Sequence, residues 1–384
     1  MSRSFTLVSG ALKNVGDFLI SEKCGEMVKT FLKPTDTLVL KRDADFKPYL
    51  HDINKTDAII ICGGPGYNTD FYGKIYPFLK LYSLIKVPII PLGLGWRGFP
   101  LYHPERFRFS DKSKRAVREI HSKIANSSTR DELTRWILQQ IGINNVINTG
   151  CPTLFDLKKM KDRTPFQLPS EIKHIAVSMA QQPINHQQNI ELLTRLKKDF
   201  PTADVTAVFH RGLGTDKYTT PEEGVHLKKL VDNVKDGGFE IIDLAYDLER
   251  IKIYTEVDFH VGYRVHAHAY SVSQRKPSFL IWEDGRGQGL SENLQIQGVP
   301  ARMSTVVDRL PGHFPTVKTY LVKGERRILG EPGPNPKALD EMMRIINNQV
   351  DSGFTTFEKT PHRLAELFSR LEEFFKTNET NLYS

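Results

Sequence analysis

The sequence predicts an α/β fold with parallel sheets, arranged as two domains. Three observations carry this. Short apolar runs alternate with amphipathic stretches, the pattern of strands joined by helical crossovers. The alternation breaks once, in a polar, lysine-rich connection from Asp156 to Lys173 that holds Pro165 and Pro169, and then resumes. The length of 384 residues suits two units of about 100–200 residues each.

In the first series the predicted strands are Thr6–Ser9, Thr37–Leu40, Ala58–Cys62, Pro88–Leu92, Lys123–Ala125 and Val146–Thr149. Amphipathic stretches between them predict helices over Asp17–Phe31, Lys74–Ile85, Ser113–Ile120 and Asp131–Ile141. After the connection, strands are predicted at Ile175–Met179, Val205–Phe209, Glu240–Asp243, Phe259–Val261 and Ser278–Ile281. The matching helices are Gln188–Asp199, Pro221–Asp236, Asp247–Thr255 and Val265–Gln274. From Arg309 to Asn335, prolines and glycines predict loops, and two helices follow, Pro336–Asn348 and Thr360–Thr377. The last places Leu364, Leu367, Phe368, Leu371, Phe374 and Phe375 on one stripe, which has to pack against something.

Composition narrows the function. Hydrophobic residues make up 39% and charged residues 26%, as in globular proteins with real cores. No stretch of about 18 apolar residues is present to span a bilayer, and the first residues are too poor in apolar side chains for a secretion signal. Cys24, Cys62 and Cys151 are scattered, with neither a disulfide framework nor zinc spacing. The cytoplasm is the expected location. A net charge of +8 suits anionic substrates or the anionic inner face of a membrane. There is no nucleic-acid motif and no basic tract interleaved with aromatics.

The richest segment is Val257-Asp-Phe-His-Val-Gly-Tyr-Arg-Val-His-Ala-His-Ala269. A strand that turns directly into a helix aims that helix's first N–H groups above the sheet, where they favour an anion. Arg264 adds a permanent, forked cation, and His266 a group that gives or takes a proton near neutrality. His260 and His268 read as packing groups. Further on, Ile281-Trp-Glu-Asp-Gly-Arg-Gly-Gln-Gly-Leu290 puts Glu283 and Asp284 at the end of the next strand, where a carboxylate can orient the imidazole or act as a base. The glycines there, with Arg286 and Gln288, suggest a loop around a ligand.

The first half supplies four more turns. Gly10-Ala-Leu-Lys-Asn-Val-Gly-Asp17 follows a strand and opens a helix, with Asp17 as candidate cap and Asn14 beside it; it is not a dinucleotide fingerprint. Cys62-Gly-Gly-Pro-Gly-Tyr67 offers Gly63, Gly64 and Gly66, whose backbone can expose N–H groups at a strand's C-terminal edge. In Leu92-Gly-Leu-Gly-Trp-Arg-Gly98, Trp96 can stack on a sugar and Arg97 can meet an acid. Ser127-Ser-Thr-Arg-Asp131 sends Arg130 toward the same crevice from a strand exit. Cys151 reads as a buried structural thiol. No residue set has metal-ligand spacing, and no catalytic metal is expected.

Taken in order, these motifs resemble the polysaccharide pyruvyltransferase family. The resemblance runs from Ser9 to Leu290, and Gly262-Tyr-Arg-Val-His-Ala267 is its most specific piece. Cys151 and Arg286 stand where many of that family have Asp and Lys. The resemblance implies a GT-B-like architecture: two Rossmann-like domains whose parallel sheets face each other across a cleft. The expected division is 1–165 on the acceptor side, 166–350 binding the donor, and 351–384 as a helix packing back on the first domain. It further implies transfer of the enolpyruvyl unit of phosphoenolpyruvate to a saccharide in surface or capsular polysaccharide synthesis, giving a pyruvate ketal. Phosphoenolpyruvate is a co-substrate, and no cofactor is needed. His266 would be the proton donor, and Arg264, Glu283 and Asp284 would share the catalytic centre. Asn14, Asp17, Gly63, Gly64, Gly66, Trp96, Arg97, Arg130, Arg286 and Gln288 would contact substrates. The acceptor would be a free or lipid-linked glycan. The alternative on the same architecture is a glycosyltransferase that uses a nucleotide sugar.

Overall fold

The structure, a computed structural model, describes residues 3–98, 104–303 and 333–383. Most of the stretch predicted as loops before Asn335 lies outside these residues. The first sheet contains β1 (Ser4–Ser9), β2 (Asp36–Lys41), β3 (Ala58–Cys62) and β4 (Ile89–Leu92) in the order β2-β1-β3-β4. All its pairings are parallel. A parallel pair, β5 (Ser127–Thr129) with β6 (Val146–Asn148), continues it through the N–H of Leu94, which donates to the Ser128 carbonyl at 3.2 Å. The second sheet contains β7 (His174–Ser178), β8 (Asp204–Phe209), β9 (Glu240–Asp243), β10 (Phe259–Gly262), β11 (Ser278–Trp282) and β12 (Val299–Pro300). Its order is β12-β11-β10-β7-β8-β9, again all parallel. Strands covered on both faces read as unbroken apolar runs; β3, Ala-Ile-Ile-Ile-Cys, is buried throughout.

Three predicted elements differ from the structure. The strand expected at Lys123–Ala125 lies at Ser127–Thr129. This strand is buried yet built from hydroxyl residues, so it shows no apolar run. Its polar atoms are satisfied internally, as burial requires: Ser127 Oγ pairs with His121 Nε2 at 2.9 Å, and Ser128 Oγ accepts the Gly93 N–H at 2.8 Å. The helix expected over Lys74–Ile85 is a 3₁₀ segment, Pro77–Leu84, opened by a proline that lacks an N–H. The helix expected over Asp247–Thr255 splits into a 3₁₀ turn, Glu249–Lys252, and one α turn, Ile253–Glu256. The Asp156–Lys173 connection carries a short helix, Leu157–Lys161, and is tied down where Arg275 Nε donates to the Thr164 carbonyl at 3.0 Å.

The C-terminal helix is longer than its stripe suggested, Thr355–Tyr383, and runs through Pro361. Near its start Phe357 meets Phe279 of β11 edge-on at 5.6 Å. Near its end Phe375 stacks on Phe31 of the first helix, Val15–Phe31, at 4.8 Å. One apolar core therefore runs through both sheets, from Phe5 and Ile60 through Leu367 and Leu371 to Val261 and Phe279. Among the described residues no helix is long and apolar enough to cross a membrane.

The loops that leave the C-terminal ends of the strands meet each other. The Val15 N–H donates to the His210 carbonyl at 3.1 Å, Tyr246 N–H to the Lys13 carbonyl at 3.1 Å, and Gly285 N–H to the Gly98 carbonyl at 3.1 Å. Asn293 Nδ2 donates to the Arg130 carbonyl at 2.9 Å. The carboxyl edges of the two sheets thus face one another, which is where open α/β sheets bind ligands.

Candidate functional site

Strand β10 ends in Gly262, whose backbone only glycine tolerates. Its φ is +141°, and a Cβ there would lie 2.3 Å from the Ser178 carbonyl oxygen on β7. The chain then turns through Tyr263 and Arg264 into the helix Val265–Ser273. Ser178 Oγ accepts the Arg264 N–H at 3.0 Å and pairs with His260 Nε2 at 2.8 Å. Ser278 Oγ links His260 Nδ1 to His268 Nδ1, each at 2.7 Å. Burial holds both of these imidazoles below their ordinary titration range, His268 at about 3. They are neutral packing groups that fix the turn.

That turn presents three features to the cleft. The helix has no side-chain cap, because its N-cap residue is Arg264 itself, so its first N–H groups are left for a ligand. The Arg264 guanidinium is half-buried and makes no hydrogen bond or close ion pair with any described residue. His266 is buried, and its Nε2 has no hydrogen-bond partner among the described residues. Its ring packs on Gly16 across the cleft, where a Cβ would come within 2.4 Å of Nδ1. Burial, then the charges of Arg286, Arg130 and Arg264, hold the His266 imidazole well below its ordinary pKa.

The two carboxylates of the next strand exit part ways. Glu283 Oε1 accepts from Asn185 Nδ2 at 2.7 Å, and burial raises its pKa against the opposing pull of Arg264. Asp284 caps the helix Gly285–Leu294 by accepting the Arg286 N–H at 3.0 Å. It also holds the Arg286 guanidinium in a fork, with contacts of 2.9 and 2.6 Å to Oδ2. Asp284 is thereby committed to the helix cap and the Arg286 fork, whereas Glu283 is held by Asn185 from the loop after β7. Asn14, Arg264, His266, Glu283, Asp284 and Arg286 line one small cavity with His210.

The remaining predicted residues fall around this centre. Asn14, not Asp17, caps the first helix, accepting the Gly16 N–H at 3.4 Å. Asp17 sits in the first turn, its pKa raised by burial and drawn back by Arg42, Arg286 and Arg264. Gly63 and Gly64, both with positive φ, lie beside Asp17 and Arg42. Gly66 serves packing, since a Cβ would lie 2.3 Å from the Tyr76 hydroxyl. Arg130 is fully buried: Nη2 donates to the Trp96 carbonyl at 2.8 Å and Nε to Asp131 at 3.2 Å, while Nη1 has no hydrogen bond among the described residues.

Two expectations lose their stated geometry. Trp96 is only 6% exposed. Its ring rests against Gly98 and Gly285, so it offers no open face to a sugar. Gln288 turns onto Glu292 of its own helix at 2.9 Å and does not line the cavity. Arg97 lies on a second, larger cavity nearby. Cys151 is buried with Thr153 Oγ1 3.0 Å from its sulfur, and burial pushes its thiol up. Among the described residues no group of three His, Cys, Asp or Glu side chains could hold a metal ion.

Sequence reasoning missed Arg42, His210, Arg211 and Asn185. Arg42, His210 and Arg211 stand just past the ends of β2 and β8, and the glycine after Arg211, Gly212 at positive φ, is the one local signal for that exit. A census of every position beyond a strand's C-terminal end would have found them.

Comparison with known proteins agrees with this geometry. A family model described as polysaccharide pyruvyl transferase matches residues 14–285, from the cap of the first helix to the start of the Asp284-capped helix. No curated protein matches the chain in sequence. Among solved structures, it is similar to UDP-GlcNAc 2-epimerase from Neisseria meningitidis bound to UDP-GlcNAc: 12% identity, TM-score 0.53, 98% of this chain and 100% of that one. It is also similar to a putative UDP-N-acetylglucosamine 2-epimerase from Listeria monocytogenes: 8% identity, TM-score 0.53, 97% and 95%. At such identities the likeness shows the fold alone, which is GT-B-like: two Rossmann-like domains across a cleft.

Proposed function

Because this chain belongs to the polysaccharide pyruvyl transferase family, we propose that it moves the enolpyruvyl unit of phosphoenolpyruvate onto two hydroxyls of a saccharide, forming a pyruvate ketal and releasing phosphate. The observation that carries this reading is the meeting, in one cavity, of an uncapped helix start with the Arg264 guanidinium and the His266 Nε2, neither of which has a hydrogen-bond partner among the described residues. A donor with both phosphate and carboxylate needs several cations and N–H donors close together, and charge-assisted forks to such groups are strong.

The chemistry needs two protons moved. A proton added to the methylene carbon makes the methyl group and leaves an oxocarbenium-like centre at the carbon bearing the phosphate. One sugar hydroxyl attacks that centre and gives up its proton. The carbon–oxygen bond to phosphate then breaks, and the second hydroxyl closes the ketal. Of the two hydroxyl protons lost, one balances the new methyl group and the other leaves on phosphate.

His266 is the proposed donor to the methylene carbon. In the free protein three arginines and burial keep it neutral, so the donor's own negative charge has to raise its proton affinity. Glu283 is the partner that takes a hydroxyl proton or orients the ring. The cavity has about 20 Å³ of open volume, room for a water. Phosphoenolpyruvate therefore enters by displacing the Arg264 or Arg286 side chain or by parting the loops above them.

The direct test is to incubate the protein with phosphoenolpyruvate and a panel of free, polymeric and lipid-linked glycans. The expected result is phosphate release matched by the mass gain of a pyruvate ketal on one glycan class. Phosphate release without any ketal, from every glycan, would contradict the assignment.

A further inference from the structure

His210 stands one residue past β8, where the carboxyl edges of the two sheets meet. Its carbonyl accepts the N–H of Val15, the first residue of the first helix, at 3.1 Å. It lines the small cavity together with Arg264 and His266, and the reaction as set out above gives it no task.

The His210 ring is buried, and its Nε2 lies 2.7 Å from the hydroxyl oxygen of Tyr254. Tyr254 is fully buried in the turn Ile253–Glu256, and His210 is the sole hydrogen-bond partner of its hydroxyl among the described residues. Burial raises the pKa of the phenol. Burial, and then Arg264, His260 and His266, lower that of the imidazole, so both groups are neutral at pH 7. A neutral imidazole has one N–H and one bare nitrogen. A buried phenol proton left unpaired is costly, and only a bare Nε2 accepts it. The His210 proton therefore sits on Nδ1. The Tyr254 ring is itself held in place: His260 lies edge-on to it at 5.2 Å, and Ser178 and Ser278 pin His260.

The Nδ1–H of His210 has no acceptor among the described residues. It shares the cavity with the guanidiniums of Arg264 and Arg286 and with an uncapped helix start. These are donors too, and a further cation among them would be repelled.

We infer that His210, fixed by Tyr254 as the Nδ1–H tautomer, is a further binding residue of the donor site and gives this N–H to an anionic oxygen of the bound enol phosphate. Tyr254 does not touch the donor; it is a positioning residue that acts through the His210 ring. The inference rests on the donor assignment above. A hydrogen bond to an anionic oxygen is charge-assisted even from a neutral donor. It adds affinity without adding positive charge beside His266, whose protonation the arginines already oppose.

The test uses the full chain carrying isotope-labelled histidine and read by NMR. The chain has 12 histidines, so the His210 signals are identified by their loss in His210→Asn. In wild type the ring is expected to carry its proton on Nδ1, and that proton to shift when phosphoenolpyruvate is added. Tyr254→Phe is expected to mix the two tautomers. Titration calorimetry gives a second readout. His210→Leu is expected to weaken phosphoenolpyruvate about tenfold or more, the scale of a lost hydrogen bond to a charged group. His210→Asn, whose amide offers an N–H near the Nδ1 position, is expected to keep most of the affinity, and Tyr254→Phe to fall between the two. Should His210→Leu melt far below wild type, the wild-type ring signals decide alone. A proton on Nε2 in wild type, a ring that does not respond to phosphoenolpyruvate, or a folded His210→Leu that binds as tightly as wild type would overturn the inference. Failure of the donor assignment has a separate signature: phosphoenolpyruvate gives no binding heat with wild type, and the inference falls with it.

Discussion

Replacing His266 with Gln is expected to lower turnover with phosphoenolpyruvate by about 10²–10⁴-fold, the usual contribution of a positioned proton-transfer group. The fold should survive the change. The Nε2 of His266 has no hydrogen-bond partner to lose among the described residues, and Gln keeps similar bulk against Gly16. The pH dependence has a definite sign. The free imidazole is held below its ordinary pKa by burial and by Arg286, Arg130 and Arg264, so it is neutral at and above pH 7. A bound phosphate and carboxylate add negative charge beside it and raise that pKa, so binding takes up a proton. Between the lowered pKa of the free imidazole and its raised pKa in the complex, phosphoenolpyruvate affinity should therefore tighten as pH falls, approaching tenfold per unit where a full proton is taken up. His266→Gln should flatten that dependence. Unchanged turnover in the variant, measured by phosphate release, removes His266 from the mechanism.

Gly262→Ala is expected to have the largest effect on the fold. Gly262 pairs with Ser178 near the middle of the six-stranded sheet. An added Cβ would meet the Ser178 carbonyl oxygen at 2.3 Å and its nitrogen at 2.7 Å, at a backbone φ of +141°. The colliding atoms are main chain, so no side-chain rotation relieves them. Backbone strain of about 1–3 kcal/mol adds to overpacking of about 1–3 kcal/mol. The sum is a large part of a typical stability of about 5–15 kcal/mol. The same collision displaces the Arg264 N–H from Ser178, so activity falls with stability. Gly25→Ala is the control: it sits inside the first helix with nothing within 4 Å of its added Cβ. Denaturant titration is expected to show a much lower midpoint for the first variant and none or a slight rise for the second. Equal midpoints would mean that the β7–β10 pairing yields more easily than its geometry implies.

The sequence made some parts of this arrangement legible and hid others for physical reasons. Strands such as β3 and β4 are unbroken apolar runs because both faces of such a sheet are covered, and such runs survive any choice of neighbour. The Arg264–His266 turn was legible because a glycine between strand and helix is a local requirement. β5 was misplaced because Ser127 and Ser128 are satisfied by partners outside the strand, the His121 ring just upstream and the Gly93 N–H far from it in sequence. Trp96 looked like a sugar platform because nothing local shows that Gly98 and Gly285 close over its ring. Glu283 and Asp284 were interchangeable on paper; the fork from Arg286 and the cap of the following helix distinguish them. Arg211 carries no motif of its own, and only the meeting of the loops beyond β4 and β8 brings it to one cavity with Arg97.

The central claim is that a phosphate- and carboxylate-bearing donor seats on Arg264. The most direct measurement is isothermal titration of phosphoenolpyruvate into the wild-type protein and Arg264→Lys. Lysine keeps the charge and loses the forked donors. The expected result is one-to-one binding to wild type and clearly weaker binding to the variant, with its melting temperature within a few degrees. Equal affinity in the two proteins, or no binding heat in wild type, would contradict the claim.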